Sequence, residues 1–243
     1  LNRVQKSRKY MMLQTAESSK FWYLKKINLL KELSEEEMGF INKCSKMTSP
    51  QKGEIVFSQG ESSSDVYFLK EGRVKLSRVS PEGREITLAI LEPGEIFGEL
   101  SVYDEGERNV QAQVMENSIL CSMKKPDFLE VLGRNPQLNF KLTKFIVFRR
   151  LQIESRIDEM IFNDVPTRLA NLLLSLKEQY GEENSRGIKL RIALTHQEIG
   201  NLIGATRETV SAIMGQWKKE GIVDSEGRKI ILVDVKRLAN EHI

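Results

Sequence analysis

The pattern of hydrophobic and polar positions divides the chain into a short helical start, a strand-rich middle and a largely helical remainder. Residues 1–20 are polar and basic without a clear period, which predicts a flexible tail. Across residues 21–48 apolar side chains recur at helical spacing. Ser34 forms a capping box with Glu37 in a run of three glutamates, so the sequence predicts a helix that begins there.

Short runs of β-favouring residues follow, separated by glycine-containing turns, from about residue 50 to residue 125. The runs are 54–57, 66–69, 73–79, 85–90, 110–114 and 118–123. The turn at Pro81-Glu82-Gly83 meets both needs of a tight hairpin, because proline presets φ and glycine permits a positive φ. Many short strands at this spacing predict a β-sandwich or jelly roll.

A long helix is predicted from Pro136 to about residue 163, since proline suits a first helical turn and apolar residues then recur every three or four positions. They form two rows, which are Leu142, Phe145, Phe148 and Leu151, and Ile146, Ile153, Ile157 and Met160. One row can cover the chain's own β-domain while the other meets a second copy. The alternative is a single long core helix. A further helix is predicted from Val165 to about Tyr180, with a loop over residues 181–185.

The segment from residue 194 to residue 223 has the signals of two short helices joined by a tight turn. Thr195 begins a capping box, Gly204 suits a left-handed helix end, and Thr206 suits the cap of a second helix. The expected inner row of that second helix is Val210, Ile213 and Trp217. This arrangement predicts a helix–turn–helix.

In such motifs the first residues of the second helix contact base edges. Arg207 can donate to guanine, Glu208 can accept from cytosine, and Lys218 and Lys219 lie near the far end, where they suit phosphates. Residues 221–232 predict a hairpin that follows as a wing. The DNA-binding candidates are Thr195, Gln197, Thr206, Arg207, Glu208, Ser211 and Lys218. The alternative is an ordinary helical hairpin with a solvated Arg–Glu pair.

Composition narrows the class of protein without identifying one. The 37 Lys and Arg against 34 Asp and Glu give a net charge of +3, which excludes a strongly basic coat but permits a local basic surface. No run approaches the roughly 18 apolar residues of a membrane span, and the start lacks a signal-peptide stretch, so we expect a cytoplasmic protein. The residues after the long helix are too few for a kinase-like domain and carry no glycine-rich phosphate loop, so we expect no enzyme.

The scarcity of metal-ligating residues excludes further classes of sensor. The cysteines, Cys44 and Cys121, are too few for an iron–sulfur cluster and do not form a CxxC pair. Both histidines, His196 and His242, fall near the end, which excludes a His-ligated haem or metal in the first 195 residues. No metal site is expected. The cysteines are expected to be ordinary thiols, with a redox switch as the alternative.

The chain resembles bacterial transcription regulators of the Crp/Fnr family over residues about 20 to 240. The motifs that carry the resemblance are Lys52-Gly53-Glu54-Ile55-Val56-Phe57, Gly94-Glu95-Ile96-Phe97-Gly98-Glu99-Leu100, Arg108, Gln197-Glu198-Ile199-Gly200 and Thr206-Arg207-Glu208-Thr209-Val210. The resemblance implies an α+β fold: a cyclic-nucleotide-binding-type β-roll over 21–135, a dimerisation helix over 136–163 and a winged helix–turn–helix over 164–243. It also implies a homodimer that binds palindromic double-stranded DNA and, as an activator, contacts RNA polymerase. Repression by site occlusion is the alternative.

The family's cyclic AMP receptor proteins bind their nucleotide through residues that this chain matches only in part. Glu99 matches the ribose contact and Arg108 the phosphate contact, but Asn109 replaces the expected serine. The adenine-reading Thr-Ser pair of the dimer helix falls on Ile153-Glu154 here. On the DNA side, Ala212 stands where these proteins have a further arginine, so we expect a related palindrome with at least one altered position per half-site.

The cyanobacterial nitrogen regulators, which sense 2-oxoglutarate, are similar at other positions. Their effector is held around a Phe-Gly turn and by residues that match Arg108, Arg149 and Glu154, whereas Glu99 places an acid where they have an apolar residue. Cyclic nucleotide and 2-oxoglutarate therefore both stay open. The effector-binding candidates are Gly98, Glu99, Leu100, Arg108, Asn109, Arg149 and Glu154. The alternatives are an effector-free regulator and an interaction module that does not bind DNA.

Overall fold

The computed structural model describes residues 30, 33–62, 64–103 and 106–240, which form two compact units. The first unit falls within residues 1–84 and 88–148, and the second within 85–87 and 149–243. The tail expected over residues 1–20 and the helical residues expected over 21–29 lie outside the described residues. Among the helices described, none is long and apolar enough to cross a membrane.

The first helix, α1 (Glu35–Cys44), begins where the sequence predicts and ends earlier. The Ser34 hydroxyl accepts from the Glu37 backbone N–H at 3.2 Å, and the Glu37 carboxylate accepts from the Ser34 N–H at 2.8 Å. The helix expected as far as residue 48 is wrong at its end. Strand β1 (Ser45–Thr48) pairs instead with the last strand of the roll, which supplies backbone hydrogen bonds that no local pattern reveals.

The remaining strands of the roll are β2 (Ile55–Phe57), β3 (Asp65–Val79), β4 (Glu85–Leu91), β5 (Ile96–Phe97) and β6 (Gln111–Lys124). They form one six-stranded sheet in the order β1-β6-β3-β4, with β2 added to β6 and β5 added to β3. The turn at Pro81-Glu82-Gly83 joins β3 to β4 as predicted, with Gly83 at φ +80°. A short 3-10 helix (Glu99–Val102) follows β5.

Two pairs of runs that the sequence separates are each a single strand. Strands β3 and β6 pair antiparallel from Asp65–Lys124 to Ser77–Gln111, with register shifts midway. Gly72 lies at these shifts at φ +84°, and a Cβ there would come 2.1 Å from the Ser118 hydroxyl oxygen. The glycine therefore marks an irregularity within paired strands and not a chain reversal.

Two apolar clusters stabilise this unit. One lies inside the roll and is made of Phe57, Leu69, Val74, Leu76, Leu91, Phe97, Ala112, Val114 and Leu120. The other lies between the sheet and the helices α1, α2 (Lys125–Arg134) and the start of α3 (Pro136–Phe162), where Phe68 meets Phe128 edge to face. No element is predicted over residues 125–134, so helix α2 is an addition to the predicted fold.

The long helix α3 spans 27 residues and buries only part of its apolar surface. Leu138 and Leu142 are buried, and Phe145 and Ile146 pack partly against the cluster below them. Phe148 is 61% exposed and Leu151 56% exposed, although the sequence groups both with Leu142. The first predicted row therefore mixes buried and exposed positions, whereas the second consists of half-buried Ile146, Ile153 and Met160 and exposed Ile157.

The second unit contains α4 (Val165–Tyr180), β7 (Gly181–Asn184), β8 (Gly187–Leu190), α5 (His196–Ile203), α6 (Arg207–Lys219), β9 (Val223–Glu226), β10 (Lys229–Leu232) and α7 (Val235–Asn240). Its four strands form a sheet in the order β7-β8-β10-β9. The loop expected over residues 181–185 is wrong. Residues 181–184 form strand β7, half of a hairpin with β8 in which Glu182 pairs with Lys189, and Ser185 lies in the turn between the two strands.

Candidate nucleic-acid interface and effector pocket

Helices α5 and α6 are held by caps that the sequence encodes. The Thr195 hydroxyl accepts from the Glu198 N–H at 3.1 Å, and the Glu198 carboxylate accepts from the Thr195 N–H at 2.6 Å. Gly204 ends α5 at φ +66°, a left-handed conformation that favours glycine. The Thr206 hydroxyl then accepts from the Thr209 N–H at 3.2 Å and starts α6. The two helices form the predicted helix–turn–helix.

One face of α6 is buried and the opposite face is open. Val210, Met214 and Trp217 are the buried residues, spaced four and three apart. Ile213, expected in this row, is half-buried, because Met214 lies closer to the centre of the helical face that contains Val210. The outer face begins with Arg207 and Glu208 in the first turn, both exposed. Among the described residues, the Arg207 guanidinium makes no hydrogen bond or ion pair.

Several other DNA-binding candidates are hydrogen-bonded within the motif. The Ser211 hydroxyl donates to the Arg207 carbonyl at 2.8 Å and lies 2.7 Å from His196 Nδ1. Gln197 donates to Asn201 at 2.8 Å. Together with the capping hydroxyls of Thr195 and Thr206, these contacts give four of the seven candidates a role in holding the motif.

The wing, formed by β9 and β10, carries carboxylates that are not among the predicted site residues. Lys218 Nζ lies 3.0 Å from Asp224 Oδ1, and Asp224 also pairs with Arg186 at 2.7 Å. Glu226 pairs with Lys189 at 2.8 Å. The Lys218 hydrogen bond holds the pKa of Asp224 below its usual range. The alternation of strand β9 puts Asp224 and Glu226 on one face, which is the signal that could have revealed them.

An open groove of about 400 Å³ separates α6 from the wing and the start of α5. Lys218, Arg228 and Lys229 supply its cationic side chains, and Asp224 supplies a carboxylate. The apolar lining comes from Leu194, Met214, Val223 and Ile230, and the hydroxyls from Thr195, Ser211 and Ser225. Such a mixture of cations, hydroxyls and apolar surface is suited to a phosphate-bearing chain.

The effector candidates of the roll converge on Arg108, which is 6% exposed. Its Nη1 donates to the Gly98 carbonyl at 3.0 Å and its Nη2 donates to the Asp65 carbonyl at 2.5 Å. Its guanidinium carbon lies 4.2 Å from the centre of the Phe57 ring. Gly98 is at φ +72°, and a Cβ there would come 2.8 Å from Arg108 Nη1. Only glycine lets the guanidinium approach this turn.

The Nε of Arg108 is also buried, and it has no hydrogen-bond partner among the described residues. Burial lowers the pKa of its guanidinium, which nevertheless stays charged. Tyr67 stacks on Phe97 with the ring centres 5.1 Å apart, and burial raises the pKa of the Tyr67 hydroxyl. The site therefore contains a buried guanidinium next to aromatic rings, and its Nε–H can donate a hydrogen bond to a small anion.

The other effector candidates differ in exposure. Glu99 is 3% exposed, whereas Leu100 is 44% exposed and Asn109 is also exposed. Arg149 and Glu154 lie on α3, in the part of the chain that belongs to the second unit. The Glu154 carboxylate accepts from Arg150 Nε at 2.7 Å.

No group of three or more His, Cys, Asp or Glu side chains among the described residues could hold a metal ion. Of the two thiols, Cys121 is buried and Cys44 is half-buried.

A capped helix–turn–helix with a wing, joined in one chain to a β-roll with a buried arginine, defines the class of DNA-binding regulators that carry a sensor-type domain. The cyclic nucleotide-binding domain family matches residues 48–135, and the Crp-like helix-turn-helix domain family matches residues 167–241. The chain belongs to the Crp/Fnr family of transcription regulators, and the fold predicted from the sequence is confirmed.

Individual relatives support this assignment. The CRP-like cAMP-activated global transcriptional regulator of Mycobacterium tuberculosis is 32% identical over 188 residues, which are 77% of this chain and 84% of that protein. The global nitrogen regulator of a Nostoc species is 32% identical over 182 residues, 74% and 82% of the respective chains. A solved structure of a CooA mutant from Carboxydothermus hydrogenoformans superposes with a TM-score of 0.74 at 27% identity and covers 89% of this chain and 95% of its own.

Proposed function

We propose that this protein is a sequence-specific transcription regulator that acts as a homodimer on a palindromic site in the cytoplasm. In this assignment residues 21–135 are the sensor roll, 136–163 the dimerisation helix and 164–243 the DNA-binding domain. The observation that carries the proposal is the exposed first turn of α6, where Arg207 and Glu208 extend from a helix whose other face is buried. Arginine and glutamate at this place of a helix–turn–helix suit guanine and cytosine.

Selection of duplexes from a random pool tests the DNA-binding function. The full chain should enrich a palindrome whose half-site centres lie roughly 34 Å apart, one turn of DNA, because two symmetric recognition helices enter successive major grooves. Binding of the enriched duplex should then weaken as salt rises. Enrichment of no palindrome, with or without candidate effectors, would favour an interaction module that does not bind DNA.

The homodimer is supported by the apolar surface that α3 leaves open. The exposed side chains are Phe140, Val147, Phe148, Leu151, Ile157, Ile161 and Phe162. So many large apolar side chains on one helix indicate an interaction surface, and a second copy of the same helix is the partner that a palindromic site requires. Leu151→Asp should therefore shift the protein to monomer in sedimentation velocity, whereas Gln152→Asp on the same helix should leave the dimer. A dimer in both variants would contradict this assignment.

We further propose that a small anionic effector controls the regulator through Arg108. The unpartnered, buried Nε of Arg108 supports this, because a buried donor without an acceptor is costly and an anion would satisfy it. Glu99 and Leu100 follow Gly98 on one side of the site, Asn109 follows Arg108, and Arg149 and Glu154 are the α3 candidates. A cyclic nucleotide and 2-oxoglutarate both carry a suitable anion.

A thermal-shift titration with cyclic AMP, cyclic GMP and 2-oxoglutarate distinguishes these cases. The true effector should raise Tm progressively above its Kd, as mass action requires, and the rise should disappear in Arg108→Met. A shift with none of the three would favour an effector-free regulator. In vitro transcription from a promoter that carries the selected palindrome then separates activation through RNA polymerase from repression by occlusion.

A further inference from the structure

Gly215 occupies a position in α6 where the folded chain gives no reason for glycine. It lies inside a helix of thirteen residues, Arg207–Lys219, and its φ is not in the left-handed region. A Cβ built there would meet nothing within 4 Å among the described residues. Glycine is a poor helix former because it loses more backbone freedom on folding than any other residue. An alanine would fit and would favour the helix.

The surroundings of Gly215 distinguish it from other helical glycines. Gly39 in α1 also has open space around its ideal Cβ position, but it does not line the neighbouring groove between α1 and α2, which Ser34, Phe40 and Arg134 line. Gly215 lines the groove between α6 and the wing, on the face of the helix that carries Ser211 and Lys218. Its missing side chain leaves the helix backbone open to whatever enters that groove.

The chemistry of the groove indicates its occupant. Lys218, Arg228 and Lys229 supply three cations against the single carboxylate of Asp224, and Arg228 is exposed with no side-chain partner among the described residues. The Ser225 hydroxyl accepts from Lys218 Nζ at 3.1 Å, so it keeps its own proton to donate to a phosphate oxygen. Apolar surface beside these groups suits deoxyribose. A sugar–phosphate strand combines the anions and the apolar rings that such a lining would hold.

The distance along α6 agrees with this occupant. Gly215 lies eight residues after Arg207 in a helix that rises about 1.5 Å per residue, so the two positions are about 12 Å apart along the axis. The major groove of DNA is also about 12 Å wide. The rim is about 6 Å from the middle of such a groove, so when Arg207 contacts base edges near the middle, Gly215 lies at or beyond the rim, where the phosphate strand runs.

We infer that one sugar–phosphate strand of the bound duplex lies in this groove and passes so close to the backbone of α6 at Gly215 that a side chain would obstruct it. The inference rests on the proposed DNA-binding function and deepens it. It makes Gly215 a determinant of DNA affinity that contacts no base. It also accounts for a helix-weakening residue in the middle of the recognition helix.

Gly215→Ala, with Gly39→Ala as the matched control, tests the inference in the full-length protein. Both variants should unfold at a higher temperature than the parent, by about 1–4 °C, because alanine favours the helix at each position. On the palindrome enriched by the parent, Gly215→Ala should bind at least tenfold more weakly. Gly39→Ala should bind like the parent. Loss of affinity in a more stable protein separates a steric clash from damage to the fold.

A set of duplexes that each lack one nucleoside locates the clash. For Gly215→Ala, removal of the nucleoside opposite residue 215 should restore at least part of the lost affinity, whereas the same gap should not help the parent. If Gly215→Ala binds the intact palindrome as tightly as the parent, or if no gap restores its binding, the inference is wrong and the DNA-binding function stands. If the parent itself enriches no palindrome, the proposed function fails and the inference fails with it.

Discussion

The two candidate sites each centre on an arginine, and the fold uses these two arginines in opposite ways. Arg108 is 6% exposed, and two of its donors hold the backbone carbonyls of Gly98 and Asp65. Arg207 is exposed in the first turn of α6, and its guanidinium has no partner among the described residues. The first arginine is part of the folded roll, whereas the second keeps its hydrogen-bonding capacity for another molecule.

An arginine that matches a family motif is therefore not necessarily a residue that binds a ligand. The cost of removing Arg108 falls first on the stability of the roll, because two buried carbonyls lose their donors. The cost of removing Arg207 falls on the complex with DNA, because the free protein makes no use of its side chain. Substitution of Arg108 should therefore lower the stability of the roll, whereas substitution of Arg207 should lower DNA affinity and leave stability unchanged.

Substitution of Gly98 should have the largest effect. Gly98→Ala forces a side chain into a left-handed conformation at φ +72° and sets its Cβ 2.8 Å from Arg108 Nη1. We expect a loss of roughly 3 kcal/mol in the free energy of unfolding, from backbone strain and overpacking together. Urea unfolding, with hydrogen exchange of β3 and β6 to assign the loss to the roll, measures it.

Gly83→Ala is the matched control for Gly98→Ala. Gly83 has a similar φ of +80° but open space around its Cβ position. It should lose only about 1 kcal/mol, since the strain remains and the clash does not. Equal losses in the two variants would mean that contact with Arg108 does not restrict residue 98.

Arg108→Met measures directly how much the buried arginine contributes to the stability of the roll. We expect the roll to lose about 2 kcal/mol, because the Asp65 and Gly98 carbonyls are left buried without donors. Arg78→Met on β3 is the control, since Arg78 is exposed and makes one hydrogen bond, of 3.3 Å, to the Asn109 carbonyl. If urea titrations show that Arg108→Met is as stable as Arg78→Met, Arg108 does not stabilise the roll and, like Arg207, serves only to bind another molecule.

The helix–turn–helix could be predicted almost completely from the sequence, because its determinants are local. Each of the two N-caps, Thr195 and Thr206, accepts a hydrogen bond from a backbone N–H only three residues further along the chain. Gly204 ends α5 through its own left-handed conformation. The wrong inner residue, Ile213 in place of Met214, is a shift of one position along the same helix. Lys218 lies in the last turn of α6, as its spacing predicts, but its partner Asp224 comes from the next strand, and no local pattern reveals that contact.

The roll could be predicted only as a set of strands, because its pairing is not local. Arg108 reaches the Asp65 carbonyl across 43 residues of sequence, and no pattern around either residue indicates that contact. The helical spacing over residues 21–48 does not predict strand β1 for the same reason, since the partner of Met47 is Cys121 in the distant strand β6. Gly72 has the sequence signature of a turn, and only the neighbouring strand makes it an irregularity within a sheet.

Arg207→Ala tests the role of the exposed arginine in DNA binding. It should weaken binding of the selected palindrome by about 1–3 kcal/mol and relax discrimination at one base position, while urea unfolding stays unchanged. Lys219→Ala, at the exposed end of the same helix, should weaken all duplexes alike and reduce the salt dependence of binding. Competition binding against duplexes substituted at each position distinguishes the two patterns. An Arg207→Ala protein with the parent's base preferences would refute the assignment of α6 as the recognition helix.

The smallest expected effect concerns Lys218, whose charge is partly taken up by the wing. Asp224→Asn should free Lys218 for phosphate, tighten DNA binding a few-fold and steepen its salt dependence by about one unit of slope. The gain is small because the ion pair is largely exposed, with the lysine side chain 55% accessible. Since the pKa of Asp224 lies below its usual range, its carboxylate is charged throughout pH 5–8, and the gain should not vary with pH there. Glu226→Gln removes the same charge from the same strand but leaves Lys218 paired, so a gain as large in Glu226→Gln would attribute the effect to net charge and not to Lys218.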